Sequence, residues 1–343
     1  MKLARRAVIV LAIVLAIVPL PPGVVEASYS QSVYLAVQNT VTAWSNRVPV
    51  ALMDIAGALV LAAVGLAFLI RVRADGFVRA MLRTLATVVA LAALVYLAFF
   101  VMWGLNYRRL PLEDKIEFDQ SRVTRESVMR LGERAVRLVN ETHAQTNTAA
   151  GEPSLEAAFA AAQKTLGAAR LAVPGVPKRS AVQLYFRHAA IDGMTDPIFL
   201  EIILNPDALP FERPFVTLHE WAHLAGYTNE AEANFVAWVA CMHGSGMARY
   251  SGWMAIYEHV AATLSRGDRA TLAALLAPGP RADLEAAAAR YARSSPVVRD
   301  AARDVYDTYL RANRVREGIA SYTGVVRLLV GSAAGEGGEV KRK

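Results

Sequence analysis

The apolar residues of this chain are crowded into its first third. Before Tyr107 they form long runs almost free of charge, and beyond it they recur at the spacings of amphipathic helices and short strands. Three runs are long enough to cross a bilayer, at about residues 7–23, 48–70 and 85–105. The first follows a basic start that ends in Arg5 and Arg6, and Pro21-Pro22-Gly23 breaks it. Val25-Glu26-Ala27 before Ser28 resembles a signal-peptidase site, although an uncleaved span is the preferred reading. Val33, Tyr34, Val37, Val41 and Trp44 then recur at helical spacing among polar residues, which predicts a helix lying in the membrane interface. Only Asp54 interrupts the second run. Arg71, Arg73, Arg79 and Arg83 dominate the loop expected after it, and Trp103 and Tyr107 close the third run as interfacial anchors.

The arginines orient the spans. A basic start and a basic loop on the cytoplasmic face, with three crossings, place everything after Tyr107 outside the cytoplasm. The expected organisation is a membrane domain over 1–107, an extracytoplasmic domain over 108–332, and a disordered Gly-, Glu- and Lys-rich tail over 333–343. The crossings imply a multi-pass membrane protein. Within the second domain, Thr124 caps a helix running to near Gln145, and Ser154 opens an alanine-rich helix to about Ala172. Val182 to Phe186 and Ile198 to Leu204 have the β-branched and aromatic content of strands, and from Pro214 the pattern is helical almost to the end. The fold class is therefore α+β and mostly helical.

Composition adds two limits. The net charge of +7 would suit nucleic acid, but the arginines sit at the ends of apolar runs and no zinc-finger, RNP or basic-helix pattern occurs. The bilayer is the partner that the charge implies. A single cysteine, Cys241, excludes an intrachain disulfide, and burial as a small apolar residue is its expected role.

One pentad carries chemistry. In His219-Glu220-Trp221-Ala222-His223, a spacing of four puts both imidazoles on one helical face, where they can share a zinc ion. Glu220 sits beside them as a candidate base. Pro214 suits the first turn of that helix and Gly226 its C-terminal end. A second helix follows at once, capped by Thr228 or Asn229. It offers two acids, Glu230 and Glu232, that point about 200° apart, so only one can face the metal. Residues 230, 233, 234, 237 and 241 form one stripe of Glu, Ala, Asn, Ala and Cys, which favours Glu230. A third histidine three residues after Gly226 would complete another known pattern, but Asn229 stands there. His243 follows Cys241 but, as a lone histidine, is expected to be structural, and His143, His188 and His259 have no ligand-like partners nearby in sequence. The strand near Glu201 is either a core strand or an edge on which an extended peptide pairs.

Glu230-Ala-Glu-Ala233-Asn234 resembles the Glu-x-x-Ala-Asn/Asp stretch that follows HExxH in gluzincin-like metallopeptidases. That resemblance implies Glu230 as third ligand, close packing at Ala233, and a hydrogen bond from Asn234 to a ligand histidine. The spans, Trp103-Gly-Leu-Asn-Tyr107, the pentad with Gly226, and Ser321-Tyr322 together resemble an uncharacterised bacterial membrane family, domain of unknown function 3810. The two resemblances imply a zincin-like domain with Zn2+ on His219, His223 and Glu230, and Glu220 as general base. They also single out Tyr322 as a distal donor to the developing oxyanion. The expected activity is hydrolysis of a peptide or protein. A non-peptide amide hydrolase of the cell envelope and a purely structural metal site are the alternatives.

Overall fold

The computed structural model describes residues 2–144, 146, 153–315, 318, 323–337 and 339–343. It is mostly helical. α1 (Lys2–Ile17) breaks at the prolines, and the chain bends by 114° into α2 (Pro22–Val25), a wide turn over Glu26–Val33 and α3 (Tyr34–Ser45). α4 (Leu52–Asp75) and α5 (Phe77–Met102) form a hairpin. Next come α6 (Arg125–His143), α7 (Leu155–Thr165) and α8 (Val182–Ala189), then the antiparallel pair β1 (Gly193–Asp196) and β2 (Glu201–Leu204). Seven helices follow: α9 (Arg213–Leu224), α10 (Glu230–Met242), α11 (Gly246–Thr263), α12 (Arg266–Ala274), α13 (Pro278–Ala292), α14 (Pro296–Ala312) and α15 (Gly324–Gly331).

α4 and α5 are long and apolar enough to cross a membrane, and the bent segment through α1 supplies a third if it is one span. Their surfaces support this reading. α4 buries no residue within the protein, and Leu59, Leu61, Leu66, Leu85 and Val95 stand exposed on the hairpin. The expected basic loop is shorter than the arginine spacing suggested. Arg71 and Arg73 belong to α4, Arg79 and Arg83 to α5, and only Gly76, with φ of 80°, separates the two helices. The first run ends as a helix at Ile17, six residues short of expectation.

α3 departs from the expected interfacial helix. Its buried face is mixed and largely polar: Tyr34, Leu35, Gln38, Thr42 and Ser45. Gln38 bonds the Val173 carbonyl at 2.8 Å and Thr42 bonds that of Leu200 at 2.8 Å, while Trp44 stays exposed. The helix therefore packs on the globular domain through hydrogen bonds that a lipid surface could not supply.

α10 is the centre of that domain. α7, α9, α11 and α15 surround it, and every residue from Ala233 to Cys241 is buried. Val182 to Phe186, expected as a strand, lies instead in helix α8. Phe186 and Ala189 are buried while Leu184 and Tyr185 are exposed, a helical spacing rather than an alternation. The helix from Ser154 keeps its cap but ends at Thr165. The described part of 333–343 is not a disordered tail. Glu117 donates its N–H to the Lys341 carbonyl at 2.8 Å, Lys343 donates to that of Lys115 at 3.1 Å, and Ile116 pairs with Arg342. Backbone pairing holds this segment together with two apolar side chains, Ala334 in the core and Val340 against it.

The candidate membrane-spanning helices are tied to the domain by hydrogen bonds at their ends. Glu201 accepts the N–H of Met53 in the first turn of α4, and Asp54 accepts from Ser180 and Ala181 at the start of α8. Arg108 and Arg314 donate to the last carbonyls of α1. Beyond the bend, Glu26 is buried against Arg109, with bonds of 2.8 and 2.9 Å, and Lys115 lies at 3.0 Å.

Candidate metal centre

α9 begins with Pro214 in its first turn, where a missing N–H costs nothing, and ends at Gly226, whose φ of 84° only glycine adopts cheaply. Asn229 then caps α10, its side chain accepting from Ala231 and Glu232. These stops set α9 and α10 against each other so that the last turn of one faces the first turn of the other. His219, His223 and Glu230 meet at that junction as a group that could hold a metal ion. Glu230 and His223 are buried, and His219 is the most open of the three, with 12% of its side chain exposed.

The donor atoms lie close enough together to share one ion. His219 Nε2 lies 3.1 Å from His223 Nε2 and 3.2 Å from Glu230 Oε2, and the last edge of the triangle is 3.5 Å. A tetrahedral ion with bonds of 2.0–2.1 Å requires donors about 3.3–3.4 Å apart. His223 Nδ1 sits 2.7 Å from the Tyr227 carbonyl, an acceptor, so in the neutral ring its Nε2 carries a lone pair. Glu230 Oε2 accepts no hydrogen bond among the described residues, and neither does His219 Nδ1 make one. Lone pairs facing one another in a buried site require positive charge among them. The titration of the pair expresses the same demand. Burial disfavours the charged forms of both His223 and Glu230, yet mutual attraction prevails, raising the imidazole and lowering the carboxyl. A proton would satisfy one edge of the triangle, whereas a divalent cation takes all three donors.

Glu220 stands outside this triangle. It is buried, its Oε2 accepts the Thr195 hydroxyl at 2.8 Å, and burial pushes its carboxyl upward against the pull of the two histidines. Thr195 also bonds the Glu220 carbonyl, so β1 is laced to α9. Gly193 of the same strand lies so close that a Cβ there would sit 2.5 Å from Glu220 Oε1 and push the carboxylate aside. β1 is the outer strand of the pair, because β2 also bridges to Pro177 on its other side. Glu201 belongs to the inner strand and anchors α4, so its strand is not a free edge.

Glu232 does not approach the metal group. Its carboxylate accepts the Leu112 N–H at 2.6 Å and lies in the field of Lys115 and Arg109. His223 Nδ1 is held by the Tyr227 carbonyl. Tyr322 and Ser321 lie outside the described residues. Among the described residues, Tyr306 of α14 brings a hydroxyl to the site and donates to Glu230 Oε1. Tyr306 stacks on Tyr309, whose hydroxyl lies 3.3 Å from that of Tyr107. His259 of α11 also borders the site, its ring beside Phe215, whose other neighbour is His219; desolvation holds its pKa down to about 4. Thr195, Tyr306 and His259 are distant in sequence and carried no signal there. His243 faces Thr165 and His143 faces Asp283 and Tyr250, away from the metal group. Cys241 is buried with its thiol pushed far up, which makes it inert. A separate cavity of about 430 Å³, between Trp238, Trp253 and Arg134, includes none of the metal group.

The profile of a family described as "Protein of unknown function (DUF3810)" matches residues 29–330, and the chain belongs to that family. No curated protein and no solved structure matches the chain.

Proposed function

We propose that this protein is a membrane-anchored, zinc-dependent hydrolase whose substrate is a peptide or protein, with its metal centre on the extracytoplasmic side of the bacterial plasma membrane. The observation that carries the reading is the division of labour between two neighbouring acids. Glu230 turns its carboxylate into the histidine pair, while Glu220, one residue from a ligand, is held out of it by Thr195. Two imidazoles and a carboxylate at tetrahedral spacing suit zinc better than magnesium or calcium, which favour oxygen donors in larger number. Zinc bound there would polarise a carbonyl and make a water more acidic.

The remaining steps belong to the chain. Glu220, raised by burial and facing the ligand pair, accepts the proton of the attacking water as its oxygen bonds the carbonyl carbon. The same carboxyl then returns the proton to the amide nitrogen as the C–N bond breaks, giving a carboxylic acid and an amine. Thr195 orients Glu220, and Tyr306 orients Glu230. The side of the membrane follows from Arg5, Arg6 and the arginines about Gly76, which favour the cytoplasmic face.

A second reading, a metal that only ties α9 to α10, draws on the burial of Glu230 and the cover of Tyr306. One experiment separates them. Full-length protein loaded with zinc should cleave members of a diverse peptide library, and Glu220→Gln should bind zinc normally yet cut about 10²–10⁴-fold more slowly. Zinc in a closed four-ligand site with no cleavage by either protein would establish the structural reading.

A further inference from the structure

The metal centre sits against the end of a membrane helix. Trp103 directly follows α5, its indole N–H donates to the His223 carbonyl at 3.0 Å, and its ring lies 6.2 Å from the imidazole. A second line of contacts runs from Phe99, inside α5, to Tyr309, then Tyr306 and the Glu230 carboxylate. The carbonyls of Leu224 and Gly226, at the end of α9, are held by Tyr34 and Arg109 from the segments that adjoin α1 and α5. Glu220 lies three residues before His223, a rise of about 4.5 Å along α9. The reacting region is therefore on the order of 10 Å from the end of the span, which an extended chain covers in about three residues.

The surroundings of the site fit a substrate arriving from the bilayer. α8 starts where Asp54 of α4 binds it, and α14, which covers the metal group, packs on α8 and reaches the end of α1 through Arg314. Both helices carry large apolar side chains outward: Leu184 and Tyr185 on α8, Val297 and Val305 on α14. Beside a membrane surface such residues are solvated by lipid. On the domain side α10 is buried along its length, so a polypeptide has no path through the core.

We propose that the substrate is a polypeptide anchored in the same bilayer, presented by its juxtamembrane segment and cut within about five residues of the membrane surface. This inference rests on the hydrolase reading above. It is tested with the zinc-loaded full chain in liposomes and one randomised segment offered in three formats. The segment is placed directly after a single membrane span, after the same span with an about 20-residue Gly/Ser spacer that extends about 25 Å, or as free peptide. Glu220→Gln serves as the blank. The directly tethered format should be cut at least about tenfold faster than free peptide and faster by a similar factor than the spacer format. Its cuts should map within five residues of the span. Free or spacer formats cut as fast as the direct one, in a Glu220-dependent reaction, would refute the membrane-proximal substrate and leave the hydrolase standing. No cut in any format would refute both.

Discussion

Glu26 is the member of the Glu26–Arg109–Lys115 cluster whose removal has the clearest predicted effect. Its carboxylate is buried, takes two bonds from Arg109, lies 3.0 Å from Lys115 and accepts from Gln31 at 3.0 Å. Burial alone would raise its pKa, but Arg109 and then Lys115 reverse that and bring it from 4.5 to about 2. A depressed carboxyl stabilises the fold fully above its unfolded pKa and loses that contribution as pH falls through the folded value. The difference corresponds to about 3 kcal/mol at pH 7 and less than half of that at pH 3. Glu26→Gln keeps the shape and leaves buried Arg109 and half-buried Lys115 with Glu232 as their remaining counter-charge. Guanidinium unfolding of the full chain in detergent, followed by tryptophan fluorescence, should show a deficit of about 2–4 kcal/mol at pH 7 that at least halves at pH 3. A chain beginning at Ser28 should show a deficit of the same sign, because cleavage after Ala27 would remove Glu26. A variant within about 0.5 kcal/mol of wild type at pH 7, or an equal deficit at both pH values, would refute the reasoning.

Three further outcomes follow from the site and its setting. Glu230→Ala should lose zinc in metal analysis of purified protein, whereas Glu232→Ala should retain it and lose about 1.5–3 kcal/mol of stability with the charged bond to Leu112; the reverse pattern would move the third ligand. Gly193→Ala should displace the Glu220 carboxylate and lower peptide cleavage by about tenfold or more with zinc content unchanged, and wild-type turnover would show that β1 yields freely. A phosphatase fused after Lys343 should be active outside the cytoplasm and one fused at Gly76 should not, with strong activity at Gly76 alone inverting the topology.

The local stops were legible because their chemistry is local. Thr124, Ser154 and Asn229 cap helices as their side chains predict, and Gly226 takes the backbone angle that ended the pentad's helix. The choice of Glu230 over Glu232 came from angles on one helix, and the geometry keeps the two apart. What failed depended on partners far along the chain. Val182 to Phe186 looked like a strand by side-chain type, but Asp54 holds its start and Phe186 faces inward, so tertiary contact decided. α3 looked amphipathic toward lipid because its buried Gln38 and Thr42 find acceptors more than a hundred residues away. Tyr306 and Thr195 join the site from separate elements, and no spacing rule connects them to His219.

The pairing of residues 115–117 with 341–343 has a mechanical consequence. Residues 115–117 and 341–343 are tied together through hydrogen bonds from Glu117 to Lys341 and from Lys343 to Lys115. A pull on Lys343 loads that short ladder and, through Lys115 and the Lys343 ammonium on the Glu113 carbonyl, passes to the stem that leads back to α5. The force closes its loop at the stem. That stem is bonded to both helices of the metal junction, through Arg109 on the Gly226 carbonyl and the Leu112 N–H on Glu232, so tension on Lys343 meets the α9–α10 junction before it reaches α5.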